Sequence, residues 1–173
     1  MANDIAWKSK KARRDEVKNH VRRFLLYPPF WADVNKQIIQ TLTWNNIIFD
    51  ENNIMSIPTA KGIYCFVVTP PTPNLFPTFY LFYIGKASGA TLRSRYKNYI
   101  NEMNDIGIGK QKPRIKVQEM LNEYYGNIYF YYATLSNNAS IVECEEKLLN
   151  TFFPYVNSQI PDAVINAEYK HIY

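Results

Sequence analysis

Cysteine and histidine are scarce in this chain, two of each among 173 residues. Cys65 falls in an apolar run expected to be a strand, and Cys144 lies among glutamates on an expected helix, so neither suggests a disulfide framework. Together with the distant His20 and His171 they offer no ligand spacing for a zinc site. Long apolar runs are missing as well: none approaches the ~20 residues that cross a bilayer, and the N-terminus has no signal-peptide apolar region. These absences lead to the expectation of a soluble, cytoplasmic protein with no membrane partner. No internal repeat or low-complexity tract is present, and 173 residues suit one compact domain.

Basic charge is present, and it is unevenly placed. The formal net charge is +5. From Met1 to Tyr27, Lys8, Lys10, Lys11, Arg13, Arg14, Lys18, Arg22 and Arg23 face only Asp4, Asp15 and Glu16, and charges balance in the rest of the chain. A basic arm of this kind suits a polyanion, most often nucleic acid, or forms a solvated helical face. Aromatic residues are abundant, with 14 Tyr and 10 Phe. Most will fill a core, but tyrosine also supplies hydroxyls to a polar site.

The chain is organised around residues Gly62 to Gly85. Ile63-Tyr64-Cys65-Phe66-Val67-Val68 and Phe79-Tyr80-Leu81-Phe82-Tyr83-Ile84 are β-branched and aromatic, and read as strands. Pro70, Pro71, Pro73 and Pro77 between them cannot donate ladder hydrogen bonds, so a long-looped antiparallel hairpin is expected. Such pairing brings Tyr64 and Tyr83 together. Ile5 to Leu26 reads as a helix with a narrow apolar stripe, closed by Pro28-Pro29, and a second helix is expected from Phe30 to about Leu42. Beyond the hairpin, Thr91 is a plausible N-cap for a helix through Met103. Further helices are expected over Ile115–Tyr125 and Ala139–Phe152, with a third strand at Ile128–Thr134 between them. The expected class is α/β (α+β): a small, mainly antiparallel three-stranded sheet flanked by helices. Residues 1–56 read as a basic N-terminal helical extension, and 57–173 as the main domain.

Gly62-Ile63-Tyr64 and Tyr83-Ile84-Gly85, followed by Gly85-Lys86-Ala87 and Leu92-Arg93-Ser94-Arg95, and then by Glu145-x-x-Leu148-Leu149, Pro154 and Asn157, resemble the motif series of the GIY-YIG nucleases. The resemblance covers about Thr59 to Asn157. It implies a metal-dependent DNA endonuclease that uses Mg²⁺ or Mn²⁺. Tyr64 matches the family's proposed general base and Tyr83 its second tyrosine. Arg95 matches the phosphate clamp, Glu145 the metal-binding glutamate and Asn157 a supporting asparagine, with Lys86 placed to assist Tyr64. Arg93 competes with Arg95, and Glu143 and Glu146 with Glu145; Leu92 in the family's apolar helix position favours Arg95, and the joint register with Pro154 and Asn157 favours Glu145. The loop between the two motifs is long, and the turn after Lys86 carries about two extra residues. Some members place a histidine one helical turn after the arginine, where this chain has Tyr99, so Tyr99 is a candidate proton-transfer position. Lys8, Lys10, Lys11, Arg13, Arg14, Arg22 and Arg23 are the candidate nucleic-acid contacts. The alternative is a catalytically impaired nucleic-acid-binding module of the same fold, or an arm that serves RNA or a partner protein.

Overall fold

A computed structural model describes residues 10–38, 41–72, 76, 78–104 and 114–172. The element order is α1 (Lys10–Asn19), α2 (Pro28–Ala32), β1 (Asn45–Ile48), a 3₁₀ turn (Glu51–Ser56), β2 (Gly62–Val68), β3 (Tyr80–Ala87), α3 (Leu92–Asn104), α4 (Ile115–Glu123), β4 (Ile128–Thr134), α5 (Asn138–Phe152) and α6 (Ala163–Ile172). One antiparallel sheet has the order β1-β4-β2-β3. It has four strands, not the three expected. The additional strand comes from the segment expected to be an extension: Asn45–Ile48 pairs with Tyr129–Tyr132, and Phe49 just beyond it is buried in the core. Two asparagines and two isoleucines are too short a pattern to announce a strand, and pairing to β4 supplies what local propensity does not.

β2 lies between two partners and under helices on both faces, so all seven of its residues are buried. That is why it reads as a continuous apolar run rather than an alternating one. Tyr64, Phe66 and Val68 pack into one core with Tyr96, Tyr99 and Ile100 of α3 and Val117, Met120 and Leu121 of α4. Ile63, Cys65 and Val67 point the other way, to Ile141, Cys144, Leu148 and Leu149 of α5. The period of two along a strand thus sorts the chain into two cores. Both cysteines are buried, and neither forms a disulfide.

Local chemistry sets the helix ends near the hairpin. The Thr91 hydroxyl accepts from Ser94 N at 3.1 Å and caps α3, as expected. The Asn137 side chain accepts from Ala139 N at 2.8 Å and caps α5. α5 ends where Phe153 adopts φ 44°, a left-handed conformation that costs about 1–3 kcal/mol for a side chain of this kind. Burial of the Phe153 ring against Tyr27 and Phe30 holds it there, and Pro154 then turns the chain along β3.

The N-terminal helices are shorter than expected. α1 stops at Asn19, because Phe24 leaves the helical path to pack among Tyr80, Phe82 and Tyr155, while Val17 and Val21 stay exposed. Pro28-Pro29 opens α2 rather than only closing α1; proline at the first helical positions gives up no hydrogen bond. α2 ends at Ala32, and Ile38 and Leu42 reach the α5-side core from irregular chain. Residues 5–9 of the first expected helix and 39–40 of the second lie outside the described residues. α6 is an element that the sequence pattern did not lead us to expect.

Gly62 stands where β2 crosses β4: a Cβ there would lie 2.1 Å from the Ala133 carbonyl oxygen. Backbone cannot yield that distance, so Gly62→Ala is expected to cost at least ~1–3 kcal/mol. A urea denaturation should register this as a lower midpoint at unchanged slope.

Candidate active site

Tyr64 is held from every side. Its ring stacks on Phe130 at 5.2 Å and meets Phe66 and Tyr99 edge-on. Its register partner on β3 is Gly85, where a Cβ would come within 2.5 Å of the Tyr64 Cζ and hydroxyl. The glycine of the second motif therefore makes room for the tyrosine of the first. The Tyr64 hydroxyl lies 3.0 Å from that of Tyr99, on α3. Tyr83 is brought to the same place by an irregularity in β3: Phe66 pairs with Tyr83 but Val67 with Leu81, leaving Phe82 as the additional residue. Phe82 and Tyr83 both pack on the α3-side core, with Tyr83 6.3 Å from Tyr64 and 6.0 Å from Tyr99 between ring centroids.

Burial pushes the Tyr64 phenol well above its ordinary range, and neighbouring Tyr83 adds to this; the Tyr99 hydrogen bond and the charges of Arg95 and Arg114 oppose it. Tyr83 and Tyr99 are raised in the same way, first by burial and then by a neighbouring phenol, Tyr99 for the one and Tyr64 for the other. All three are neutral phenols at pH 7. A base role for Tyr64 requires cations to draw the proton off.

The two candidate arginines of α3 separate cleanly. Arg93 is engaged with backbone: its Nε donates to Ile57 O at 2.7 Å and its Nη2 to Met55 O at 3.1 Å, tying α3 to the 3₁₀ turn. Arg95 lies close enough to Tyr64 to lower its pKa, and among the described residues its buried Nε has no hydrogen-bond partner. A buried guanidinium N–H without an acceptor is costly, and an anion is the group that would satisfy it. The two arginines thus differ in surroundings: Arg93 is bound to backbone carbonyls and Arg95 lies near the phenols.

Lys86 and Glu145 form an ion pair of 2.5 Å between β3 and α5, with side chains 33% and 16% exposed. Glu145 is near enough to Tyr83 to raise its pKa, so the pair borders the tyrosine cluster. Glu143 instead pairs with Lys147 one turn along α5 and is 60% exposed. Among the described residues no three His, Cys, Asp or Glu side chains gather as a metal cage. A single, largely shielded carboxylate would suit Mg²⁺ or Mn²⁺ held mainly through water and phosphate oxygens, and Glu145 would be the residue to hold it. Asn157 works on the backbone. Its Oδ1 accepts from Ile84 N at 2.9 Å and its Nδ2 donates to Ile84 O at 2.8 Å, while Val156 N donates to Phe82 O at 2.9 Å. The segment after Pro154 thus covers the open edge of β3 and fixes the residue between Tyr83 and Gly85. Asn157 supports the site and does not enter it.

The basic arm is divided. Lys8 lies outside the described residues; Lys10 and Lys11 open α1, and Arg13, Arg14 and Lys18 follow on its exposed surface. Arg22 is spent on structure: Nη2 pairs with Glu123, and its guanidinium lies 5.6 Å from the centre of the Tyr155 ring. His20 meets the same glutamate. Arg23 is exposed. Arg114 is a residue that the sequence pattern gave no reason to single out. It heads α4, where a charge reads as solvated, and only the fold brings it to the Tyr99 hydroxyl, 3.3 Å from its Nη1.

No family model, curated protein or solved structure matches the chain.

Tyr96, buried one turn before Tyr99, supplies a test of this phenol-rich core. Its hydroxyl accepts from Asp50 N and donates to Asp50 O, both at 2.8 Å, and burial pushes its pKa up to about 12. An unfolded phenol releases its proton near pH 10. Between about pH 10 and 12 the unfolded state therefore binds fewer protons, and stability falls as pH rises. Alkaline denaturation should begin above about pH 10, with tyrosinate absorbance and loss of circular dichroism moving together. Tyr96→Phe should make the decline shallower and cost ~1 kcal/mol at about pH 7, through the Asp50 N–H left unpaired.

Proposed function

We propose that this chain is a metal-dependent DNA endonuclease of the GIY-YIG kind, with Tyr64 as general base, Arg95 as phosphate clamp and Glu145 as the metal-holding carboxylate. What supports this most is the cluster of Tyr64 from β2, Tyr83 from β3 and Tyr99 with Arg95 from α3, with the Lys86–Glu145 pair within electrostatic reach of Tyr83. Tyr64 and Tyr99, 35 positions apart in sequence, meet there through their hydroxyls.

In this reading Arg95 binds the scissile phosphate through its guanidinium. In the ionised fraction of the protein, in which Tyr64 is a phenolate, water attacks phosphorus, its proton goes to the Tyr64 oxygen to restore the phenol, and the ester oxygen leaves with the bonding electrons. Tyr83 flanks the phosphate and Tyr99 holds Tyr64 in place. Glu145 would hold Mg²⁺ or Mn²⁺, which supplies neutralisation of the charge building on phosphorus. Lys86, released from Glu145, remains as a cation beside the phosphate. Lys10, Lys11, Arg13, Arg14 and Arg23, with Lys8 before them, form the basic arm that meets the DNA backbone. Arg22 anchors that arm to α4 and contributes less.

A specific observation favours a second reading. The Tyr64 phenol is buried and raised, and Lys86 already neutralises Glu145. A nucleic-acid-binding module without cleavage would keep this arrangement. It would bind duplex with steep salt dependence and leave plasmid intact.

Plasmid nicking in Mg²⁺ separates the two. Glu145→Gln and Arg95→Ala should each lower the rate by ~10²–10³-fold, the scale of losing one charge-stabilising group. Cleavage that survives both substitutions excludes this assignment of residues. The rate should rise with pH through neutrality, because the ionised fraction of a raised phenol increases about tenfold per pH unit; Tyr64→Phe should abolish that slope. Replacing Arg13 and Arg14 with alanine should reduce the salt dependence of DNA binding by ~0.9 in slope per arginine, without altering which sites are cut.

A further inference from the structure

Arg114 lies outside every motif that suggested the site, yet it is the cation in contact with the tyrosine cluster. Its Nε donates to Glu102 Oε1 at 3.0 Å and its Nη2 to Glu102 Oε2, a two-point fork that fixes the guanidinium plane. Glu102 stands one turn beyond Tyr99 on α3, so the fork sets the guanidinium over the Tyr99 ring, 4.9 Å from its centre. That leaves Nη1 to reach the Tyr99 hydroxyl at 3.3 Å.

A guanidinium has donors and no acceptor. Tyr99 must therefore accept from Arg114, and its single proton goes to a neighbouring phenol oxygen, with that of Tyr64 3.0 Å away and Tyr83 the other hydrogen-bonded phenol. Arg114 takes one acceptor position of the Tyr99 oxygen and Tyr83 also hydrogen-bonds it, and together they favour donation from Tyr99 in the Tyr64–Tyr99 bond, which two phenols alone would leave undecided. We propose that Arg114 is a positioning residue that turns the Tyr99 proton towards Tyr64 and so favours the Tyr64 phenolate; this rests on the reading of Tyr64 as a base. The groups facing Tyr64 are Tyr83 from β3, Tyr99 and Arg95 from α3, and Arg114 ahead of α4. Burial and Tyr83 oppose ionisation, whereas Tyr99, Arg95 and Arg114 favour it, and Arg114 lowers the pKa of all three phenols. Arg114 acts through Tyr99 and takes no part in holding the phosphate.

The test compares wild type, Arg114→Gln and Arg114→Lys by two measurements. The first is the pH profile of plasmid nicking. Arg114→Gln should move the rising limb to higher pH with KM for DNA unchanged. If the limb moves by about one pH unit, the rate at a fixed pH on that limb falls about tenfold. Arg114→Lys should recover part of the loss. The second needs no activity: the Cζ signal of Tyr64 in protein carrying ¹³C-labelled tyrosine, assigned by its disappearance in Tyr64→Phe. Arg114→Gln should move that signal at neutral pH. If wild type nicks DNA and neither the profile nor the signal changes, the role of Arg114 is overturned and the endonuclease reading stands. If no wild-type preparation nicks DNA while the signal moves, the endonuclease reading fails and the polarised hydrogen bond stands. Should Arg114→Gln fold poorly, Tyr99→Phe keeps the Arg114–Glu102 pair and removes only the hydroxyl. The same displacement of the profile is then expected, and its absence overturns the inference.

Discussion

Burial of β2 on both faces is the constraint on which the rest of this structure depends. Its backbone is paired on two sides, and its side chains alternate between the α3/α4 core and the α5 core. A one-residue slip would exchange the two sets and drive Tyr64 away from Tyr99 and towards Cys144 and Leu148. The register is therefore held by the apolar burial of seven residues together. Gly62 and Gly85 refine it, each at a point where only a hydrogen fits beside backbone or ring. The two glycines have packing reasons that would hold whatever the site does.

β3 carries a different burden, since it lies at the sheet edge with one side unpaired by any strand. Val156 and Asn157 occupy that side through three hydrogen bonds to Phe82 and Ile84. This protects an edge that is otherwise open to pairing with another chain. It also ties the end of α5, through the left-handed turn at Phe153, to the strand that presents Tyr83 and Lys86. Glu145 and Lys86 are thus placed by one continuous connection, from α5 around Pro154 and back to β3.

Among the described residues, several charges that border the core have counterparts, whereas the buried Nε of Arg95 has no hydrogen-bond partner. Arg93 finds carbonyls, Arg22 and Arg114 find glutamates, and Lys86 finds Glu145. The Nε of Arg95 has none, and three raised phenols stand close by. Arg93 and Arg95 are two residues apart on one helix and indistinguishable by type, and a helical rotation of about 200° sends one to the 3₁₀ turn and the other to Tyr64. For Arg95, position along the helix decided the outcome; for Arg114, which has no pattern around it, nothing local did.

The sequence by itself determined the central hairpin, α3 with its Thr91 cap, α5, β4 and the meeting of Tyr64 with Tyr83. These follow from periodicity, capping chemistry and antiparallel pairing, all of which act over a few neighbouring residues. Only the tertiary structure decided that Asn45–Ile48 joins the sheet, that Phe24 ends α1 early by packing on Phe82, and that Arg22 belongs to Glu123. It also set Arg114 upon Tyr99. In each case the partner lies far along the chain, so the free energy that selects the conformation comes from burial and pairing that no local pattern encodes.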